Sequence, residues 1–151
     1  MLRVWVCVGA LAFMLMGPVG GTRALEPPHF STGEVTVISA RGRFVFSVEL
    51  ALSEDQRSEG LQHRKWLAPS AGMLFDFKTS QPVTMWMKNT PIPLDMIFIG
   101  EDGRIRNIAE MTVPFSLNTI PSAGPVQYVL EVNGGTASRL GLKPGDRVGL
   151  P

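Results

Sequence analysis

Phe44-Val45-Phe46-Ser47-Val48-Glu49-Leu50-Ala51 alternates with a period of two. Phe44, Phe46, Val48 and Leu50 fall on one face and Val45, Ser47, Glu49 and Ala51 on the other. Successive side chains of a strand point to opposite faces, so this run predicts a strand with one face in a core. The same signal precedes it over Glu34 to Ser39, where Val35 and Val37 share a face. Arg41-Gly42 between the two runs suits a hairpin turn. Short apolar runs then recur between turn residues: Met73 to Phe77, Val83 to Lys88, Asp95 to Ile99, Arg104 to Met111, Gln127 to Val132 and Arg147 to Leu150. Glu101-Asp102-Gly103 predicts a hairpin turn, and Lys143-Pro144-Gly145-Asp146 a type II turn.

Two short helices interrupt the strands. Ser53-Glu54-Asp55-Gln56 is a capping box, in which the Ser53 hydroxyl accepts from the Gln56 amide and the Gln56 side chain reaches back. The helix is expected over Glu54 to Arg64, weakened by Gly60. Thr136 to Leu140 predicts a second helix, ended by Gly141. Val113 to Pro125 reads as a long connection. Its Phe115, Leu117 and Ile120 either pack beneath the sheet, the expected outcome, or form an exposed apolar patch. Many short strands with Gly/Pro turns predict a mainly-β sandwich or barrel with two short helices. No βαβ alternation, GxGxxG or P-loop supports nucleotide binding.

The N-terminal stretch reads differently. Arg3 precedes an unbroken apolar run from Val4 to Met16, Gly17-Pro18 breaks any helix, and Thr22-Arg23-Ala24 offers small residues for cleavage. Residues 1–24 are therefore expected to be a secretory signal peptide, with an uncleaved anchor as the alternative. Residues 25–33, with Pro27-Pro28, are expected to be a flexible leader and residues 34–151 one β domain. The chain has 151 residues, a formal charge of +1 and one cysteine. Cleavage would remove Cys7, Arg3 and Arg23, leaving about 127 residues with 12 basic against 13 acidic side chains and no thiol. That balance excludes a strongly basic nucleic-acid binder and a Cys-rich metal site. A periplasmic or secreted monomer is expected, with no stable membrane span after cleavage.

Gln56-Arg57-Ser58-Glu59-Gly60-Leu61, Gly72-Met73-Leu74-Phe75-Asp76-Phe77 and Met85-Trp86-Met87-Lys88-Asn89-Thr90-Pro91-Ile92-Pro93-Leu94-Asp95 resemble the DUF192 (UPF0127) family. Val129-Leu130-Glu131-Val132 with Gly134, and Gly145-Asp146-Arg147-Val148, are similar to its closing half. The resemblance runs from about Val48 to Val148. It departs from the family pattern at Gln56 and Gln62, where the family carries Glu and Met; Gln56 still caps. The resemblance implies a compact, mainly-β domain with jelly-roll character. It implies no catalytic residues.

The string from Trp86 to Asp95 concentrates the functional question. Period two places Val83, Met85 and Met87 on one face and Thr84, Trp86 and Lys88 on the other, an aromatic plate beside a cation. Pro91 and Pro93 hold the backbone extended. Trp86, Lys88, Asn89, Thr90, Asp95 and Glu131 are the candidate ligand-binding residues, lining a pocket for a small polar ligand such as a sugar, or a docking point for an envelope partner. The alternative is structural: Lys88 pairs with Asp95 or Glu131, and Asn89 braces the turn. Two chemical alternatives stand beside these. Asp95 and Glu131 could form a hydrolytic carboxylate pair. Met85 and Met87, aided by Met73, Met96 and His63, could bind Cu(I), against their use as core fillers. No HExxH or EF-hand loop is present, so no cofactor is assigned. Arg57 and Arg64 share a helix face and are read as anchors of that helix.

Overall fold

The computed structural model describes residues 29–151. The expected signal peptide, Cys7 and the start of the leader lie outside the described residues. The nine elements, in chain order, are β1 (Ser31–Ser39), β2 (Gly42–Ala51), α1 (Glu54–Glu59), β3 (Ala71–Met85), β4 (Leu94–Ile99), β5 (Ile105–Ala109), β6 (Ile120–Asn133), α2 (Thr136–Leu140) and β7 (Arg147–Gly149). The fold is mainly β with two short helices.

All seven strands form one sheet in the order β5-β4-β6-β3-β2-β1-β7. The pairings are antiparallel except β2 with β3. A parallel pair needs a crossover, and here α1 and its following turns supply it. The sheet curls until its edge strands approach. Arg104 bridges Arg147, the Ile105 amide donates to the Asp146 carbonyl at 3.0 Å, and the Val148 amide donates to the Gly103 carbonyl at 2.8 Å. Of sandwich and barrel, the chain thus forms a partly closed barrel, which protects two edges that would otherwise be open.

The curled sheet separates two cores. The enclosed face gathers Val35, Val37, Phe46, Val48, Leu74, Ile97, Ile99, Leu130, Val132 and Val148, and α2 closes it with Ala137 and Leu140. The outer face of the central strands carries Met73, Phe75, Met96, Phe98 and Val129, covered by Leu61 and Met87 from the connecting segments. Strands buried on both faces read as continuous apolar runs, which is the case for Leu94–Ile99.

Several boundaries differ from expectation. β1 begins at Ser31, pairing with Leu50, so the last residues of the expected leader are strand. α1 stops at Glu59 because Gly60 takes φ 52°, ψ −138° and turns the chain over Phe75. The runs at Met73 and Val83 are one strand, bent by a register shift between Asp76 and Gln81. Lys78 sits at φ 68° in that bend. β6 starts at Ile120, so the connection after Val113 is half as long as expected.

Candidate functional site

A cleft of about 240 Å³ opens on the outer face of β3 and β6, between α1 with its following turn and the segment leaving β3. Its elements are fixed locally. The Ser53 hydroxyl accepts from the Gln56 amide at 3.2 Å, and Gln56 Oε1 accepts from the Ser53 amide at 2.9 Å, completing the capping box. Arg57 donates to the carbonyls of Leu52 at 2.9 Å and Asp76 at 3.0 Å and lies over the Phe77 ring. Gly60 approaches Phe75 closely: a Cβ there would lie 3.2 Å from the ring. At the opposite wall Trp86 is half exposed, with the Lys88 ammonium 5.2 Å from its ring centre. That separation is a cation–π contact. Thr90 is buried; its amide donates to the Met87 carbonyl and its carbonyl accepts from Phe115.

Glu131 forms the floor. On β6 it pairs with Met73 of β3 and Met96 of β4, placing its side chain on the outer face among apolar neighbours. It is only 4% exposed. Among the described residues no donor reaches its carboxyl, which opens instead onto the cleft. Burial disfavours the charged form, and it pushes the Glu131 carboxyl up to about 8. Glu131 therefore presents a neutral carboxylic acid at pH 7, able both to donate and to accept a hydrogen bond.

This state sets a stability signature. Between the unfolded value near 4.5 and the folded value of about 8 the folded chain holds a proton that the unfolded chain has released. Stability contributed by this group thus falls as pH rises through that window and is constant above it. Glu131→Gln, isosteric with the protonated acid, is expected to match the parent near pH 5 and to exceed it by a few kcal/mol near pH 8. Urea denaturation at the two pH values checks this; equal stabilities at both would contradict it.

The other candidates divide. Trp86, Lys88, Thr90 and Glu131 come together at the cleft. Asn89 stands behind it at φ 54°, donating through Nδ2 to Gln62 Oε1 at 2.9 Å and accepting from the His63 amide at 2.8 Å. It ties the two walls, and the left-handed backbone suits asparagine. Asp95 is a correction. Its Cα partner on β6 is Val132, one residue beyond Glu131, so it faces the enclosed core on the other side of the sheet. It is fully buried and accepts from three amides: Met111 at 2.8 Å, Gly135 at 2.9 Å and Ala137 at 2.7 Å. Asp95 braces the start of α2, and the carboxylate pair with Glu131 does not form. Lys88 pairs with neither acid; the ion pairs among the described residues are Arg64–Glu49, Lys78–Asp76 and Arg106–Asp102.

The methionines are also corrected. Met73, Met87 and Met96 are fully buried in the outer core, and the Met87 sulfur accepts from the Thr112 hydroxyl at 3.1 Å. Of the five proposed copper ligands only Met85 reaches the cleft, and His63 is exposed elsewhere. In the Val113 connection, Ile120 packs on the outer core as expected, but Phe115 and Leu117 are 62% and 69% exposed. Phe115 holds φ 60°, an unfavourable region for an aromatic residue. The missed cleft residues are Arg57, Gln62, Phe75 and Phe77; the signal for them was the capping box, which fixes a helix directly ahead of Gly60.

The family model DUF192, described as Uncharacterized ACR, matches residues 36–150. Two solved structures are similar. One, described as a "putative transcription regulator", is from Sinorhizobium meliloti 1021; it shares 51% identity over 80% of this chain and 94% of its own, with a TM-score of 0.77. The other, a protein of unknown function from Novosphingobium aromaticivorans DSM 12444, shares 46% identity over 79% of this chain and 85% of its own, also with a TM-score of 0.77. No curated protein matches.

Proposed function

The chain belongs to the uncharacterised DUF192 family, and from that premise we propose that it is a non-enzymatic binding protein that captures a small polar ligand in the Glu131 cleft. The observation that carries this reading is the Glu131 carboxyl: buried, unpartnered among the described residues, and open to the cleft. A carboxyl on a nearly buried residue that takes no protein partner and keeps its oxygens open to a cleft leaves its hydrogen-bonding capacity to whatever fills that cleft. The ligand brings a hydroxyl or amine to Glu131 and a flat apolar face to Trp86. The cleft lies just below the roughly 300 Å³ at which drug-sized pockets begin, which suits a monosaccharide or an amino acid.

The reading includes an extracytoplasmic setting, resting on the leader-like residues 1–24. Mass spectrometry of the exported protein would then begin at Leu25. Nucleic acid is not a favoured partner, because the expected mature chain is slightly acidic.

A thermal-shift panel of monosaccharides, amino acids and small amines at pH 7 tests the proposal. At least one compound is expected to raise the melting temperature, with the shift lost in Trp86→Ala and in Glu131→Leu, which removes both the donor and the acceptor. No shift with any compound, or the same shift in both variants, would overturn it. A second reading, an envelope partner seated on the cleft rim, is favoured by the exposed Phe115 and Leu117, whose loop is hydrogen-bonded to Thr90 and Met87. There Phe115→Ser abolishes partner binding and leaves the panel response unchanged.

A further inference from the structure

A second concavity, of about 820 Å³, lies between the start of β2, the segment after Trp66 and α2, and it shares no residue with the Glu131 cleft. Its lining combines Arg43, Arg139, Trp66 and Thr136, with no acidic side chain. Neither arginine side chain has an ion pair or hydrogen bond among the described residues. By contrast, the neighbouring Arg41 is occupied, donating to the carbonyls of Ser138 at 3.1 Å and Arg139 at 2.7 Å. Trp66 is 73% exposed, an unusual position for an indole. Its segment is nevertheless pinned, because Asn133 Nδ2 donates to the carbonyls of Leu67 and Ala68, each at 3.0 Å. Thr136, 2% exposed, lines the concavity at the start of α2.

We infer that this concavity binds a small organic anion carried on a flat ring, the anionic group held by Arg43 and Arg139 and the ring stacked on Trp66. A guanidinium matches a carboxylate or phosphate with paired donors, and an indole face accepts a planar ring. The amides of Gly135 and Ala137 are already taken by Asp95. The anion therefore belongs at the guanidiniums, and the Thr136 hydroxyl serves a polar edge of the ring. The two walls are tied before any ligand arrives, one through Asn133 and the other through Arg41, so little ordering opposes binding.

Titration calorimetry of the protein with phenyl phosphate and with benzoate tests the site and separates phosphate from carboxylate as the anionic group. Saturable binding is expected for at least one of them. Inorganic phosphate, lacking the ring, and benzyl alcohol, lacking the charge, should bind about tenfold more weakly or not at all. Arg43→Ala, Arg139→Ala and Trp66→Ala should each weaken binding about tenfold, with unchanged melting temperature because all three side chains are exposed. Glu131→Gln should bind as the parent does, which separates this site from the Glu131 cleft. The inference is overturned if neither anion saturates, if inorganic phosphate binds as tightly, or if the three variants bind normally. It is also overturned if only a single-stranded oligonucleotide binds, or if Trp66 proves to be covered by a second copy in sedimentation.

Discussion

Asp95→Ala is expected to be among the most damaging single substitutions in the chain. The Asp95 carboxylate satisfies three amides from two separate segments: Met111 after β5, and Gly135 and Ala137 at the start of α2. An unsatisfied buried donor costs about 1–3 kcal/mol, and breaking a buried charged network about 3–5 kcal/mol. The α2 start would be released from β4, and with it Ala137 and Leu140 from the enclosed core. A loss of about 4 kcal/mol and a fall in melting temperature of roughly 10 °C or more are expected. Asp95→Asn should recover only part, since its amide group would face an amide donor. Because Asp95 lies across the sheet from the cleft, any folded fraction should keep its ligand response. A variant as stable as the parent would show that the three contacts contribute nothing.

Gly72→Ala is the second large effect. Gly72 sits on β3 opposite Val132, and a Cβ there would lie 2.5 Å from the Glu131 carbonyl oxygen and 3.1 Å from Val132 Cγ1. The obstacle is backbone, so no side-chain rotation relieves it. The β3–β6 pairing must open at the point where it holds the cleft floor. Overpacking of this kind costs about 1–3 kcal/mol and more where nothing can move. Thermal denaturation should show a loss of about 3 kcal/mol or more. The ligand response should fall with it, because Glu131 moves. Normal stability in Gly72→Ala would mean that β3 and β6 are less closely paired at this point than their register requires.

Gly72 and Asp95 both stand in the motifs that carry the family resemblance, yet both owe their importance to distant contacts. Gly72 meets β6, and Asp95 meets the turn into α2, each some 40–60 residues away along the chain. Local signals were readable in the sequence. The Ser53–Gln56 capping box and the helix from Thr136 to Leu140 form as expected, because their determinants lie within a few residues. Period two also put Val83 and Met87 in the core and Trp86 and Lys88 outside. Cross-strand register is not local. Nothing within either strand shows that Met96, and not Asp95, lies opposite Glu131, and this one-residue difference sends the two acids to opposite faces. The same limit hid the second concavity, whose Arg43, Trp66 and Arg139 are far apart along the chain.

The protonation state of the Glu131 side chain is the property on which ligand capture at the cleft depends most directly. Carbon-detected NMR titration of its carboxyl reads that state. Titration near 8 is predicted in the free protein, displaced once a ligand from the thermal-shift panel occupies the cleft. Titration near 4.5, unchanged by any such ligand, would show a solvated carboxylate with no role at the cleft floor and would contradict the proposed binding site.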